Sequence, residues 1–266
     1  DVEYWSLEQA KLKKPKKLLE GNVVVITGST GTIGFETYKM FKKYGAEVIL
    51  LDFNKSKIAE LKSKISDTCI YCDVTSKKSV QNAFNQICEK YGGIDILISN
   101  AGNAPSGVIG EVNDEILRES FEVNFFSHQN CASEAVKIMT KQNINGCLLF
   151  NISKQAVNPG KNFGAYGMPK ATTFFMMRQL ALELGADGIR VNGVNADRIR
   201  SGLLTDNFIA ERANARGVSE DSYMAGNLLN AEVKASHVAE AFVSLAQAER
   251  TTGHVMTVDG GNIEAS

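Results

Sequence analysis

The sequence contains no apolar run near the roughly 20 residues that a bilayer-spanning helix requires, and its first 20 residues hold no hydrophobic signal core. These absences point away from membranes and secretion, toward a cytoplasmic chain. Charge of one sign is also missing: 29 Lys and Arg stand against 30 Asp and Glu over 266 residues, a formal net charge of −1. Phosphate backbones are gripped by concentrated cationic faces, so this balance argues against a nucleic-acid partner. Cysteine is sparse and odd in number, and Cys69, Cys72, Cys88, Cys131 and Cys147 lie scattered through apolar stretches, which suits buried thiols better than a disulfide framework. Cys69 and Cys72 form a C-x-x-C, but within a β-like run a separation of three sends them to opposite faces. No second Cys or His pair completes a metal site, and His128, His237 and His254 are too widely spaced to serve as ligands.

The composition that remains, 44% apolar and 22% charged, is that of an ordinary globular chain and excludes wholesale disorder. Residues 1–21 differ from the rest. They carry Lys11, Lys13, Lys14, Lys16 and Lys17 around Pro15, opposed by Asp1, Glu3, Glu8 and Glu20, and read as a solvated basic lead-in or linker. The start at Asp rather than Met fits a chain trimmed from something longer.

From Asn22 onward, short aliphatic runs alternate with longer segments of helical period, the signature of successive βαβ units. Strands are expected at Val23–Thr27, Glu47–Leu51, Thr68–Cys72, Ile94–Ser99, Cys147–Ile152, Arg190–Val194 and Val255–Val258. Helices are expected at Ile33–Tyr44, Lys55–Ile65, Lys77–Tyr91, Glu115–Lys141, Ala165–Leu184 and Ser236–Ala246. Unbroken apolar runs mean strands covered on both faces, hence one seven-stranded parallel sheet with helices on both sides and one domain over residues 22–266.

The first strand runs into Thr27-Gly28-Ser29-Thr30-Gly31-Thr32-Ile33-Gly34 and then a helix. Glycines at such a turn admit a pyrophosphate to the helix N-terminus, where free N–H groups favour an anion. Asp52 closes the second strand 18 positions after Gly34, near the spacing at which an acid takes the adenosine ribose hydroxyls, although a helix cap is its alternative role. A carboxylate there repels a 2′-phosphate, and no Lys or Arg lies in Ser29–Gly34 or at Phe53 to compensate, so NAD is expected over NADP.

Tyr166 and Lys170 stand at i and i+4 on one helical face. An adjacent ammonium favours a phenolate, which brings a phenol toward its working range as a base. Pro169 is tolerated in a first turn, so the pair is expected to open its helix at the C-terminal edge of the sheet. Ser153 ends the fifth strand 13 residues earlier and can donate to a substrate oxygen that gains charge.

In order, Thr27–Gly34, Asp73-Val74, Asn100-Ala101-Gly102, Asn124, Ser153, Tyr166-x-x-x-Lys170, Arg190-Val191-Asn192 and Val258-Asp259-Gly260-Gly261 run the length of the domain. On these motifs the chain resembles the short-chain dehydrogenases/reductases across Asn22–Gly261. The resemblance implies a single-domain α/β fold, a Rossmann-like doubly wound parallel sheet, and hydride transfer to or from an NAD cofactor. It implies catalysis by Asn124, Ser153, Tyr166 and Lys170, with Asn124 holding a water that relays protons to the lysine. It places the dinucleotide on Gly28, Thr30, Gly31, Thr32, Ile33, Gly34, Asp52, Phe53, Asp73, Val74, Asn100, Ala101, Gly102, Tyr166, Lys170 and Ser201. It also implies a homodimer or homotetramer, built through the helices of Glu115–Lys141 and Ala165–Leu184.

The chain departs from the family's usual pattern at Thr32 in the glycine turn and at Ser99, where the first Asn of the Asn-Asn-Ala-Gly turn is usual. It departs again at Asn195-Ala196-Asp197, where Pro-Gly is usual; Ser201 can inherit the hydroxyl that follows. Substrate contacts are expected from Ser153, Gln155, Asn195, Arg198 and Arg200, the last two at the entry to a lobe of residues 198–232 and suited to a carboxylate or phosphate.

A narrower resemblance rests on Glu3–Leu12, Asn195–Leu204, Arg216–Ser219, Gly226–Leu229 and Asp259–Asn262. These are similar to the C-terminal dehydrogenase module of bifunctional proteins with an upstream sugar-phosphate aldolase, of the rhamnulose-1-phosphate aldolase/lactaldehyde dehydrogenase type. The implied substrate is a small hydroxy-aldehyde such as lactaldehyde. Two alternatives are a sugar-alcohol or sugar-alcohol-phosphate 2-dehydrogenase, sorbitol-6-phosphate-like, and a non-catalytic NAD-binding module.

Overall fold

The structure, a computed structural model, describes Glu3 and residues 16–262. Most of the basic lead-in, including Lys11, Lys13, Lys14 and Pro15, lies outside the described residues, as do residues 4–12 of the narrower resemblance and residues 263–266. The strands are β1 (Val23–Thr27), β2 (Glu47–Asp52), β3 (Thr68–Tyr71), β4 (Ile96–Ser99), β5 (Gly146–Asn151), β6 (Ile189–Ala196) and β7 (Val255–Val258). They form one parallel sheet in the order β3-β2-β1-β4-β5-β6-β7.

The sheet is doubly wound, with a separate core on each face. One face packs under α1 (Thr32–Lys43), α2 (Lys55–Lys64) and α9 (Ala235–Gln247), through Phe41, Ile58 and Phe242. The other packs under α3 (Lys77–Tyr91), α5 (Ser127–Gln142) and α6 (Gly164–Leu184), through Phe84, Ala135 and Met177. Cys69 joins the first core and Cys72 the second, as a separation of three along a strand dictates. Burial raises both thiols, Cys72 to about 12, so neither is an available thiolate near neutral pH. Among the described residues no helix is long and apolar enough to cross a membrane, and no three His, Cys, Asp or Glu side chains gather as a metal site.

One expected element comes out differently, and one region holds helices that were not expected. The single helix expected over Glu115–Lys141 is α4 (Asp114–Phe121), a π-turn at Glu122–Phe126, and then α5. Ser127 N–H reaches back five residues to the Glu122 carbonyl, and this widened turn carries Asn124. The second difference lies between β6 and α9, where α7 (Asp206–Asn214) and α8 (Glu220–Met224) close a small core of their own from Ile209, Ala213, Tyr223 and Met224.

The chain winds outward from β1 to β3 and then returns to place β4 beside β1. That reversal opens a crevice beyond the carboxyl ends of these two strands, which is where doubly wound sheets bind ligands.

Candidate active site

The β1–α1 turn is shaped by two glycines. Gly28 has φ +61°, a left-handed conformation, and a Cβ on it would lie 2.8 Å from Ala101 Cα. A Cβ on Gly34 would overlap the Gly28 carbonyl and sit 2.8 Å from Ser29 Cα, so only glycine lets α1 close on the turn. Gly31 caps α1 without a side-chain bond, which leaves the first helical N–H groups, at Thr32 and Ile33, without a side-chain cap.

Asp52 is buried at the end of β2. Its Oδ2 accepts from Thr30 N (3.0 Å) and Thr30 Oγ1 (2.8 Å), and its Oδ1 accepts from Asn54 N (3.0 Å). The cap of α2 is Asn54, so the alternative role for Asp52 falls to its neighbour, and the carboxylate instead ties β2 to the glycine turn. Phe53 beside it is 70% exposed, an unusual setting for so large a ring. Asp73 folds back on its own turn through Thr75, and the Val74 carbonyl accepts from Asn130.

Asn100 stitches three strand ends together: Nδ2 donates to the Thr27 and Gly28 carbonyls, and Oδ1 accepts from Asn151 Nδ2 at 2.9 Å. All its side-chain polar atoms are thus engaged in architecture at the mouth of the crevice. Ala101 follows it, donating its N–H to Thr27 Oγ1. Gly102 then leaves a gap where a Cβ would stand 3.0 Å from Asn124 Oδ1 and 3.6 Å from Lys170 Nζ. Asn124 is itself locked by Asn103 and Ser120, and its carbonyl accepts from Thr173 Oγ1 at 2.7 Å.

Tyr166 lies in the first turn of α6, and its hydroxyl is hydrogen-bonded to Ser153 at the end of β5. Lys170 is one turn further on, 2% exposed, with Nζ donating to the Asn151 carbonyl at 2.8 Å and lying 5.9 Å from the Tyr166 ring centre. Pro169 falls in the second turn of α6 rather than the first, yet the pair still opens the helix at the sheet's carboxyl edge. One expectation is reversed in this site. Burial, more than any neighbour, pushes the Tyr166 phenol up, Asp197 adds to the rise and Ser153 opposes it; burial also drops Lys170 to about 7. Sequence spacing shows that two groups are adjacent but not that both are dry.

At the other end of the site, Asn195 is buried and its Oδ1 has no hydrogen-bond partner. Gln155 turns its carbonyl to Gly160 N at 2.7 Å and holds that loop. The Ser201 hydroxyl accepts from Leu203 and Leu204 N–H and builds a tight turn at the lobe entrance. The two arginines expected to meet an anion are engaged inside the lobe. Arg200 pairs with Glu232 (2.9 Å) and Asp206 (3.0 Å), while Arg198 donates to the Tyr223 and Gly226 carbonyls and lies against Asp197. Arg212, which the sequence did not single out, stacks between Phe163 and Phe208 and pins α7 to the start of the Tyr166 helix. His128, also passed over, is fully buried with Nε2 3.4 Å from Lys170 Nζ.

Comparison with known proteins agrees with this architecture. The family model described as "Enoyl-(Acyl carrier protein) reductase" matches residues 28–262. The chain is 35% identical to "Uncharacterized oxidoreductase YuxG" of Bacillus subtilis (strain 168), covering 98% of this chain and 40% of that protein. It is 33% identical to "Short chain aldehyde dehydrogenase 1" of Euphorbia lathyris, covering 92% of this chain and 89% of the relative. This chain belongs to the short-chain dehydrogenase/reductase family. Among solved structures, the 3-ketoacyl-(acyl-carrier-protein) reductase of Brucella melitensis complexed with NADH superposes with a TM-score of 0.82 at 25% identity, covering 91% of this dehydrogenase and 98% of the reductase. The protein is an oxidoreductase acting on CH–OH and C=O groups, with the fold that binds a nicotinamide cofactor. It spans well under half the length of its Bacillus relative but most of the Euphorbia one.

Proposed function

We propose that this dehydrogenase transfers hydride between NAD and a small hydroxy-aldehyde of the lactaldehyde type, oxidising it to the acid with NAD or reducing its carbonyl to the alcohol with NADH, with Tyr166 as the group that takes or gives the proton. The observation that carries the reading is that Tyr166 is hydrogen-bonded to Ser153 and stands one helical turn from Lys170, which meets Asn124 beside Gly102, at the crevice where the sheet reverses. The residues also fit a dinucleotide: a glycine turn that a Cβ would fill, first-turn N–H groups at Thr32 and Ile33 without a side-chain cap, and a buried carboxylate at Asp52.

When bound, the cofactor accepts or supplies hydride at the nicotinamide ring. Ser153 donates to the substrate oxygen as charge develops there, and Tyr166 exchanges the proton with that same oxygen. Lys170 orients the ribose and, in its charged form, opposes the burial that raises the Tyr166 phenol, and Asn124 orders the proton path behind it. An aldehyde substrate enters as its hydrated gem-diol, whose hydroxyl gives Tyr166 an alcohol to deprotonate. The unpartnered Asn195 Oδ1 offers a buried acceptor to a hydroxylated substrate. Asp52 supports NAD, since a carboxylate at the end of β2 beside the glycine turn would repel a 2′-phosphate, and the exposed Phe53 ring suits the flank of a base.

Exposed Phe175 and Leu182 on α6 support self-association through α5 and α6, which sedimentation measures directly. Five free cysteines fit a reducing cytoplasm. The reading extends to work beside a second domain such as an aldolase, for which the Bacillus relative, matched over 40% of its length, leaves room.

The reading is tested by following NADH formation with lactaldehyde, sorbitol and sorbitol 6-phosphate, and NADPH formation alongside. Lactaldehyde turnover with a preference for NAD is expected. Preferred turnover of either polyol assigns the sugar-alcohol activity instead, and binding without turnover of any of them leaves the binding module. Asp52→Ser should shift the NAD-to-NADP ratio of kcat/KM toward NADP by about tenfold.

A further inference from the structure

His128 does not belong to the Tyr166, Lys170, Ser153 and Asn124 set, yet it makes a side-chain contact with the lysine. It lies on α5 with 1% of its surface exposed, wedged between β4 and α6. Its Nδ1 is 2.6 Å from the Ser99 hydroxyl at the end of β4, and its Nε2 is 3.4 Å from Lys170 Nζ. Burial, and after it the charge of Lys170, hold the imidazole well below its ordinary range, so it is neutral, with one N–H and one lone pair.

The hydrogen-bond roles follow from that count. In its charged form the lysine has donors only, so Nε2 facing the Lys170 ammonium is the acceptor. The proton is thereby assigned to Nδ1, which donates to Ser99 Oγ. A serine at position 99 places its hydroxyl 2.6 Å from the buried ring, and because a hydroxyl can accept as well as donate, it receives the Nδ1 proton once the lysine has claimed Nε2. The arrangement is not a proton exit, since both Ser99 and His128 are buried.

We propose that His128, locked by Ser99, is a positioning residue that holds Lys170 from behind and biases its buried amine toward the charged form. This deepens the reading above, in which Lys170 supports Tyr166. The lysine has two internal acceptors, the Asn151 carbonyl at 2.8 Å and His128 at 3.4 Å, and these leave its remaining N–H for the crevice. Other charged groups bear weakly on the cluster. Lys170 on α6 acts on His128 on α5, Tyr166 lies on α6, and Asp197 after β6 acts on Tyr166. From β4, β5 and the π-turn come only the neutral Ser99, Asn151, Ser153 and Asn124.

The test reads the lysine's proton directly and needs no substrate. The amine is far less basic in the folded chain than in the unfolded one, so stability against denaturant rises with pH, starting at the folded pKa. That lower edge is measured in His128→Leu and His128→Gln, both without a titrating ring, so all other ionisations cancel between them. Glutamine keeps an acceptor near the Nε2 position and leucine does not. The edge in His128→Leu should lie about one pH unit below that in His128→Gln, a tenfold weaker hold on the proton. Coincident edges would overturn the proposal, because a merely structural histidine lowers stability without moving the edge. If His128→Leu does not fold, Ser99→Ala decides in the same way: its edge should lie about half a pH unit below wild type, and coincidence with wild type again overturns the proposal. Since no turnover enters, this outcome is independent of whether Tyr166→Phe abolishes activity.

Discussion

Replacing Tyr166 with phenylalanine should lower kcat for NAD reduction by about 10²- to 10⁴-fold, the usual loss when a positioned proton-transfer group is removed. NAD affinity and unfolding temperature should stay close to wild type. The ring keeps its place in the first turn of α6, and only its hydroxyl, with the bond to Ser153, is lost. Steady-state rates combined with NAD titration separate these quantities, and a variant that turns over normally would remove Tyr166 from the reaction. In the wild-type protein the phenol lies above its ordinary range because burial penalises the phenolate and Asp197 repels it. Alcohol oxidation should therefore rise with pH, since it needs the deprotonated group, and carbonyl reduction should fall.

Lys170→Met should make the cofactor-free protein more stable while it abolishes turnover. Burial drops the amine from 10.5 in the unfolded chain to about 7, so the folded state carries the full penalty below about pH 7 and none above about pH 10.5. A lowered lysine pKa thus destabilises on the acid side, and stability rises with pH between those values. A difference of this size corresponds to about 4 kcal/mol at pH 7, from which the Asn151 carbonyl left without its donor takes back about 1–2 kcal/mol. Denaturation of wild type and Lys170→Met across that range should give curves that converge as the pH rises. Parallel curves would mean that the amine is not held in a dry site. A residue that weakens the fold where it sits is characteristic of functional sites, where stability and activity compete.

Much of the fold was legible because parallel strands covered on both faces read as unbroken apolar runs. Val23–Thr27 and Val255–Val258 come out as expected to the residue, and the other strands differ by one or two residues at one or both ends. The chemistry-bearing residues were legible for a related reason, since Tyr166 and Lys170 are joined by helical spacing and need no tertiary contact to share a face. The lobe was less legible. Helices α7 and α8 pack on a core of four residues, too few to impose a clear period on the sequence. The π-turn was hidden as well, because a one-residue widening leaves apolar periodicity almost unchanged on either side of Asn124.

Charge partners were the least legible of all. Arg198 and Arg200 looked free to meet an anion because, Asp197 and Asp206 apart, the groups that engage them, Glu232, Tyr223 and Gly226, lie 25 to 32 residues away in the chain. A lone His128 within a helical pattern likewise carries no mark of its neighbours, and only the approach of β4 on one side and α6 on the other puts Ser99 and Lys170 against its ring. Local sequence therefore determined the order of strands and helices, the dinucleotide turn and the side chains presented at the sheet's edge, because these follow from periodicity and from spacings of a few residues. Tertiary structure alone decided which of those groups are dry, which are neutralised and what stands behind the lysine. Desolvation and hydrogen bonding depend on atoms brought close in space, whatever their separation along the chain.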